Sequence, residues 1–312
     1  MTSYLLSIVA TAGIYALLAL GLNVIWGMAG MINLGLAGFF ALGAYGSALI
    51  TTALGAPLAV GVLVGFVVAA AAGALLTLTT LRLRGDYLAI VSLGFAEVVR
   101  LIASNEIWLT NGTDGISGIP GPWRGELTPL QFNLLFCIIA LGGGGVALLL
   151  THRLRNSPFG RVLRGIRDDD VVVRVAGKSV NHFKVQAFAI GGGLMGVAGA
   201  LYGHYTSFVA PDIFRPLITI YIFLALTAGG TGNNLGAVVG AFVVLAILES
   251  TRFVADLAPW LGGAQVAAVR EIAIALVLIL VLRFKPSGLL PERLPRHGGA
   301  PLPSSTGEKA TP

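Results

Sequence analysis

The chain has 312 residues, of which 56% are hydrophobic and only 11% are charged, and its formal net charge is +6. Soluble domains carry about 25% charged residues, whereas residues 1–81 of this chain contain no Lys, Arg, Asp or Glu at all. A soluble protein of this composition could not keep its surface hydrated. The composition therefore excludes a soluble domain and predicts a polytopic membrane protein.

Apolar segments suited to crossing a bilayer follow one another along the whole chain. A helix rises about 1.5 Å per residue, so about 20 residues cross a hydrocarbon core roughly 30 Å thick. Several segments are shorter than this or interrupted by glycine, and we expect an all-α membrane protein with eight to ten transmembrane helices. The predicted spans are residues 5–26, 35–52, 58–81, 87–104, 130–150, 185–208, 218–229, 236–251 and 273–282.

The glycine-rich stretch at residues 27–38 is the best candidate for an interrupted or re-entrant helix. Irregular backbone at membrane depth is tolerated only where protein or a watery cavity covers it. Asn23 precedes this stretch and Asn33 lies within it. We expect both asparagines either to pair with neighbouring polar groups or to line a translocation pathway.

A second polar pair lies within the span at residues 87–104, where Arg100 follows Glu97 by three positions. Residues at this spacing share a helix face and can form an ion pair. A carboxylate at the centre of a membrane helix costs roughly 2.5 to 3.5 kcal/mol on insertion scales. Two interpretations remain open: a salt bridge that anchors a helix end near the interface, or a polar lining of the translocation path.

The basic residues indicate the orientation of the chain. Most of them fall in three clusters that the predicted spans place on one side, which the positive-inside rule makes the cytoplasmic side. The C-terminus is then cytoplasmic, and residues 295–312, rich in Pro, Ser and Gly, are predicted to be a disordered tail behind a permease domain at residues 1–294. The positive charge is thus a topology signal and does not indicate a nucleic-acid partner. The clusters are Arg82 and Arg84; Arg153, Arg155, Arg161, Arg164, Arg167, Arg174, Lys178 and Lys184; and Arg283, Lys285, Arg293, Arg296 and Lys309.

The cytoplasmic loop at residues 151–184 contains a short amphipathic helix. Its apolar residues follow the spacing i, i+3, i+4, i+7, its arginines lie elsewhere on the helix, and Ser157-Pro158 is typical of a helix start. From periodicity alone the helix either lies on anionic lipid or docks its apolar stripe into a groove on a soluble partner. The stripe consists of Phe159, Val162, Leu163 and Ile166, and the arginines are Arg161, Arg164 and Arg167.

Small residues are regularly spaced in the span at residues 185–208. Gly192 with Gly196, and Gly199 with Gly203, are i, i+4 pairs that let neighbouring helices approach closely. We therefore expect these four glycines to act in helix packing.

The sequence gives little support for an enzyme. Gly177-Lys178-Ser179 resembles the end of a phosphate-binding P-loop, but Val172 occupies the position where that motif needs a glycine. No plausible zinc site, activated nucleophile or paired carboxylates are present, and the single cysteine, Cys137, lies in an apolar run. We expect no cofactor in this chain.

Longer motifs resemble a known family. The run from Gly160 to Asp168, followed by Ala176-Gly177 and Gly196-Val197-Ala198-Gly199-Ala200-Leu201-Tyr202, resembles the cytoplasmic loop and next helix of bacterial branched-chain amino acid ABC transporter permeases. Arg82-Leu83-Arg84-Gly85-Asp86-Tyr87 and Phe95-Ala96-Glu97 with Arg100 are more similar to the M-type, LivM-like subunit than to its H-type sibling.

The resemblance implies a type II ABC importer permease in the bacterial inner membrane. It also implies a second homologous permease, two ABC ATPase subunits that bind ATP and Mg, and a periplasmic substrate-binding protein. The substrates would be branched-chain amino acids, although urea and amide permeases share these motifs. A stand-alone ion-coupled secondary transporter is less well supported, because only Glu97 is a fair candidate for ion coupling within the membrane. The ATPase-docking coupling helix would comprise Phe159, Gly160, Arg161, Val162, Leu163, Arg164, Gly165, Ile166, Arg167 and Asp168.

Overall fold

The structure is a computed structural model that describes residues 2–81, 83, 85–257, 263–285 and 287–292. The predicted tail at residues 295–312 and the basic pair Arg82 and Arg84 lie outside the described residues.

Helices dominate the described part of the chain, and their bounds follow the predicted spans closely. In chain order they are α1 (Thr2–Leu22), α2 (Leu36–Leu54), α3 (Leu58–Thr80), α4 (Asp86–Asn105), α5 (Ile107–Thr110), α6 (Pro129–Asn156), α7 (Pro158–Asp168), α8 (Asp170–Val175), α9 (Val180–Thr206), α10 (Pro216–Gly229), α11 (Asn234–Leu257) and α12 (Gly263–Phe284). A π-helical turn, Asn23–Met28, and two 3₁₀ turns, Gly112–Asp114 and Pro211–Phe214, complete the helical elements.

Six of these helices, within the described residues, are long and apolar enough to cross a membrane: α2, α3, α4, α6, α9, and α1 together with its π-helical extension. Two shorter apolar helices, Pro216–Gly229 and Asn234–Ser250, accompany them. The chain is therefore a polytopic helical membrane protein. The count of eight to ten crossings stays a prediction.

The irregular stretch predicted around residues 27–38 connects two helices and does not interrupt one, because residues 2–28 and α2 are each long enough to cross a membrane. After Met28 the backbone leaves the helix, and residues 29–35 are irregular until α2 begins at Leu36. Gly30 adopts a left-handed conformation (φ +69°), and a Cβ there would lie 2.8 Å from Arg167 Cγ. Glycine is needed at this turn because it adopts a left-handed backbone without strain and because it leaves room for the Arg167 side chain.

The centre of the bundle is α9, which packs closely against α2 and α3. A Cβ on Gly196 would lie 2.5 Å from Ala69 Cβ and closer still to Gly65 O. A Cβ on Gly199 would lie 2.7 Å from Ala44 N and would collide with Phe40 O. The predicted glycine face thus lets α9 backbone contact the backbones of both neighbours.

The end of the bundle remote from α7 carries a small feature that the sequence did not predict. Strands β1 (Ile116–Ser117) and β2 (Phe208–Val209) pair antiparallel, with Ile116 opposite Val209. Beside them the buried ring of His204 bonds through Nδ1 to Pro120 O at 2.7 Å and through Nε2 to Ser47 Oγ at 2.9 Å. These bonds tie the loop between α5 and α6 to α2 and α9.

Candidate functional site

The helix predicted at residues 159–168 is α7, and its start follows local capping chemistry. Ser157 Oγ accepts a hydrogen bond from Gly160 N at 3.3 Å, and Pro158 occupies the first helical turn. At the other end Asp169 caps the following helix, α8, because its Oδ1 accepts from Val171 N at 2.8 Å. The chain therefore turns sharply at Asp169 and presents two consecutive short helices.

The apolar stripe of α7 faces the protein's own core. Leu163 is 0% exposed and Ile166 is 5% exposed, and the Phe159 ring packs 5.5 Å from that of Phe183 on α9. Leu163 and Ile166 are thus covered by this chain in this conformation, whereas Phe159 and Val162 are only half-buried. The burial of these two residues argues against both a partner groove and lipid as what covers them, and docking of α7 stays a prediction. Periodicity identified the stripe correctly but could not identify what covers it.

A different surface of this region is open. Arg161 and Asp168 are exposed on the outer side of α7. The next helix, α8, exposes three large apolar side chains, with Val171 at 54%, Val172 at 63% and Val175 at 84%. We call these five residues the α7–α8 outer surface. It combines charge with exposed valines.

Arg167 joins α7 to two distant parts of the chain. Its Nη1 donates to Gly27 O at 2.6 Å, at the end of the first membrane helix, and to Glu292 Oε2 at 2.9 Å. Glu292 Oε1 also lies 3.5 Å from Arg155 Nη2 on α6. The two arginines and the carboxylate therefore tie α6, α7, the π-helical turn and the C-terminal segment together.

Glu292 is held in place by the backbone that precedes it. Leu289 N and Leu290 N donate to Ala228 O and Gly229 O at 2.8 and 2.9 Å. These are carbonyls of the last turn of α10, which lack partners within their own helix. The C-terminal segment thus donates hydrogen bonds to the last carbonyls of α10, and it places the Glu292 carboxylate against Arg167.

Two further basic residues at this end are also engaged. Lys184 Nζ lies 3.3 Å from Asp170 Oδ2, which links α8 to the start of α9. Arg164 Nη1 donates to Arg155 O at 2.9 Å. Burial lowers the pKa of the Arg164 guanidinium from its usual value, and the nearby positive charge of Arg155 lowers it further. A cavity of about 330 Å³ lies among these groups, and its lining includes Gly30, Thr77, Thr80, Arg167, Asp170 and Lys184.

The two asparagines predicted for pairing or for a pathway are both buried, at 0% exposure. Asn23 Nδ2 donates to Asn234 Oδ1 at 2.8 Å, and Asn23 Oδ1 accepts from Gly232 N at 2.9 Å. Asn33 Oδ1 accepts from Gly35 N at 2.9 Å, while its Nδ2 has no partner among the described residues. Asn23 therefore clamps the π-helical turn to the start of α11, and neither asparagine lines an open path in this conformation.

Glu97 and Arg100 form an ion pair along α4. Arg100 Nε lies 3.0 Å from Glu97 Oε2, and Arg100 Nη2 contacts Oε1. The side chains are 38% and 22% exposed, respectively. Asp212, in the loop before α10, is close enough to interact electrostatically with Arg100. The pair therefore lies on the side of α4 that is near the loop before α10.

Within the described residues no group of His, Cys, Asp or Glu side chains is arranged to hold a metal ion.

The comparison with known proteins decides the family. Residues 4–282 match the family described as "Branched-chain amino acid transport system / permease component". The chain belongs to this family. It is 32% identical over 309 residues to the high-affinity branched-chain amino acid transport system permease protein LivM of Escherichia coli K12, covering 91% of this chain and 69% of the relative. No solved structure matches it.

Two further relatives place the chain within this permease family. The probable LivM of Methanocaldococcus jannaschii is 31% identical over 241 residues, covering 74% of this chain and 66% of the relative. The LivH permease of Escherichia coli K12 is 26% identical over 291 residues, covering 88% and 91%. The chain is thus a LivM-like permease, as its motifs predicted.

Sequence reasoning missed two residues of this permease that complete its polar contacts. Glu292 lies 125 positions along the chain from Arg167, and Asn234 lies 211 positions from Asn23. No local spacing rule connects such positions. A usable signal for Glu292 was present: it is an acidic residue in the segment that follows the predicted last span, on the side predicted to carry most of the arginines.

Proposed function

We propose that this chain is the M-type permease subunit of an ATP-driven importer for branched-chain amino acids. Family membership and the names of the LivM relatives support this assignment. The observation that carries it is the anchoring of α7. This helix presents an open outer surface on one side and, through Arg167, bonds to the end of the first membrane helix on the other.

The proposed role of α7 is mechanical coupling. ATPase subunits dock on the α7–α8 outer surface, and their closure moves α7. Arg167 passes this movement to Gly27 and hence to the π-helical turn and the irregular segment 29–35, where the backbone has few of the helical hydrogen bonds that resist bending. Shifting a transporter between its two facing states from 1:99 to 99:1 takes about 5.5 kcal/mol, which ATP supplies.

The proposed assembly contains a second homologous permease, two ABC ATPases that bind ATP and Mg, and a periplasmic binding protein. We place the chain in the inner membrane as a type II importer permease, with residues 1–294 as the transmembrane domain and residues 295–312 as a cytoplasmic tail. The arginine-rich end around α7 faces the cytoplasm under the positive-inside rule. The N-terminus then lies outside, because α1 runs from the opposite end towards Arg167.

Reconstitution in proteoliposomes tests this function. The lone chain should accumulate no leucine, isoleucine or valine, even with an imposed proton or sodium gradient. Accumulation should require the sibling permease, both ATPases, ATP on the ATPase side and the binding protein. Gradient-driven uptake by the lone chain would establish a secondary transporter instead, and ATP-driven uptake of urea or short amides without amino acids would replace the substrate.

A further inference from the structure

The ion pair Glu97–Arg100 lies in the outer half of α4. Measured from Asp86 at the start of this helix, Glu97 lies about 16 Å along the helix axis and Arg100 about 21 Å, and α4 ends at Asn105, about 12 Å beyond Glu97 and about 8 Å beyond Arg100. Because the hydrocarbon core is roughly 30 Å thick, Glu97 falls near its middle and Arg100 between the middle and the outer boundary. Both side chains are partly exposed, at 38% and 22%, and a charged group facing lipid at this depth is strongly disfavoured. The exposed side of the pair therefore faces water or polar protein.

Charged groups continue from the pair towards the outer end of the bundle. Asp212 interacts electrostatically with Arg100, and it pairs in turn with Arg215, whose Nη2 lies 2.8 Å from Asp212 Oδ1. Both of these side chains are well exposed, at 73% and 64%. A charged route thus leads from the outer end to the middle of α4.

The pair retains hydrogen-bonding capacity that it does not use. A guanidinium has five N–H donors, and within the described residues Arg100 directs only Nε and Nη2 to Glu97. Among these residues Glu97 Oε2 accepts only from Arg100 Nε, and it has a further acceptor site. The side chain of Leu101, one turn beyond Glu97 on the same face, is 45% exposed. An acidic group, a basic group and an aliphatic surface therefore lie side by side.

We propose that Glu97 and Arg100 bind the zwitterionic head of an α-amino acid within the membrane. Glu97 accepts hydrogen bonds from the ammonium, and the free edge of Arg100 donates to the carboxylate. Leu101 lies beside the aliphatic side chain. This inference rests on the proposed amino-acid transport, and it assigns to the permease a binding step of its own. A neutral solute such as urea offers no such charge pair, so the arrangement favours an amino acid.

The first test asks whether the site is wet and occupied. In a Cys137→Ser background, Leu101→Cys leaves the ion pair intact, and in the reconstituted complex it should react with a membrane-impermeant thiol reagent. Saturating L-leucine should slow that reaction at least threefold. Val146→Cys, on an exposed apolar position of α6, should not react. A Leu101→Cys protein that is unreactive, or whose labelling ignores leucine, would overturn the proposal.

The second test separates binding from a merely structural ion pair. Glu97→Gln and Arg100→Gln should each lower leucine transported per ATP hydrolysed at least tenfold while basal ATP hydrolysis persists. Exchanging the two charges, by Glu97→Arg with Arg100→Glu, preserves a pair, and this variant should assemble but should not restore transport. Wild-type transport by the exchanged variant would show that the pair only anchors the helix. If the wild-type complex itself accumulates no amino acid, the proposed function fails and not this site alone.

Discussion

Arg167 Nη1 lies 2.9 Å from Glu292 Oε2 and 2.6 Å from Gly27 O, so one guanidinium connects α7, the C-terminal segment and the end of the first membrane helix. The carboxylate is 15% exposed and the arginine 24%. An ion pair this sheltered is weakened by solvent much less than a surface pair. It fixes the position of α7 relative to the membrane helices.

Removing the charge of Glu292 should therefore destabilise this permease. Glu292→Gln removes the charge of the sheltered carboxylate that contacts both Arg155 and Arg167, and we expect a loss of about 2 kcal/mol, between the surface and buried ranges for ion pairs. Asp168→Asn is the matched control, because Asp168 lies 3.6 Å from the same Arg167 but is 75% exposed. Thermal unfolding in detergent should show a clear drop for the first variant and almost none for the second. Equal melting temperatures would show that the buried pair contributes no stability.

The partner surface predicted here differs from the apolar stripe. Val172→Asp places a charge on the exposed side of α8 and should prevent co-purification of the ATPases while the permease remains folded. Leu163→Asp should instead unfold the permease, because that side chain is fully buried. Thr113→Asp, at the opposite end of the bundle, serves as the control for added charge. Normal ATPase recovery with Val172→Asp would exclude α8 from the docking surface.

Orientation can be measured with two introduced cysteines at exposed sites. In a Cys137→Ser background, Thr113→Cys should react with an impermeant maleimide added to intact cells. Lys178→Cys should react only after permeabilisation, because the arginine-rich end is predicted to face the cytoplasm. The reverse labelling pattern would invert the proposed topology.

The glycines of α9 should differ sharply from those of α6. Gly199→Ala forces a methyl group against the backbone of α2, where neither Phe40 O nor Ala44 N can rotate away, and overpacking of this kind costs roughly 1 to 3 kcal/mol or more. Gly142→Ala meets no atom within 4 Å and should stabilise α6 by up to about 1 kcal/mol through helix propensity. The yield of folded protein and the thermal unfolding temperature of each variant measure these two effects. A tolerated Gly199→Ala would disprove the close packing of α9 on α2.

The sequence by itself determined the class of protein, the positions of the helices and the likeness to LivM. Hydropathy is a property of each segment, so the predicted spans at residues 58–81 and 87–104 agree closely with α3 and α4. Capping is equally local, which is why Ser157-Pro158 correctly marked the start of α7. The i, i+3 spacing likewise sufficed to pair Glu97 with Arg100.

Only the tertiary structure decided what each face meets. A helical period shows which residues share a side, but not whether lipid, a partner or the same chain covers it, and Leu163 and Ile166 of the stripe on α7 proved to be covered by this chain. The contacts of Arg167 with Glu292 and of Asn23 with Asn234 join residues more than a hundred positions apart. Such contacts depend on how the helices pack, because side chains distant in sequence meet only when the folded backbone brings them within hydrogen-bond reach.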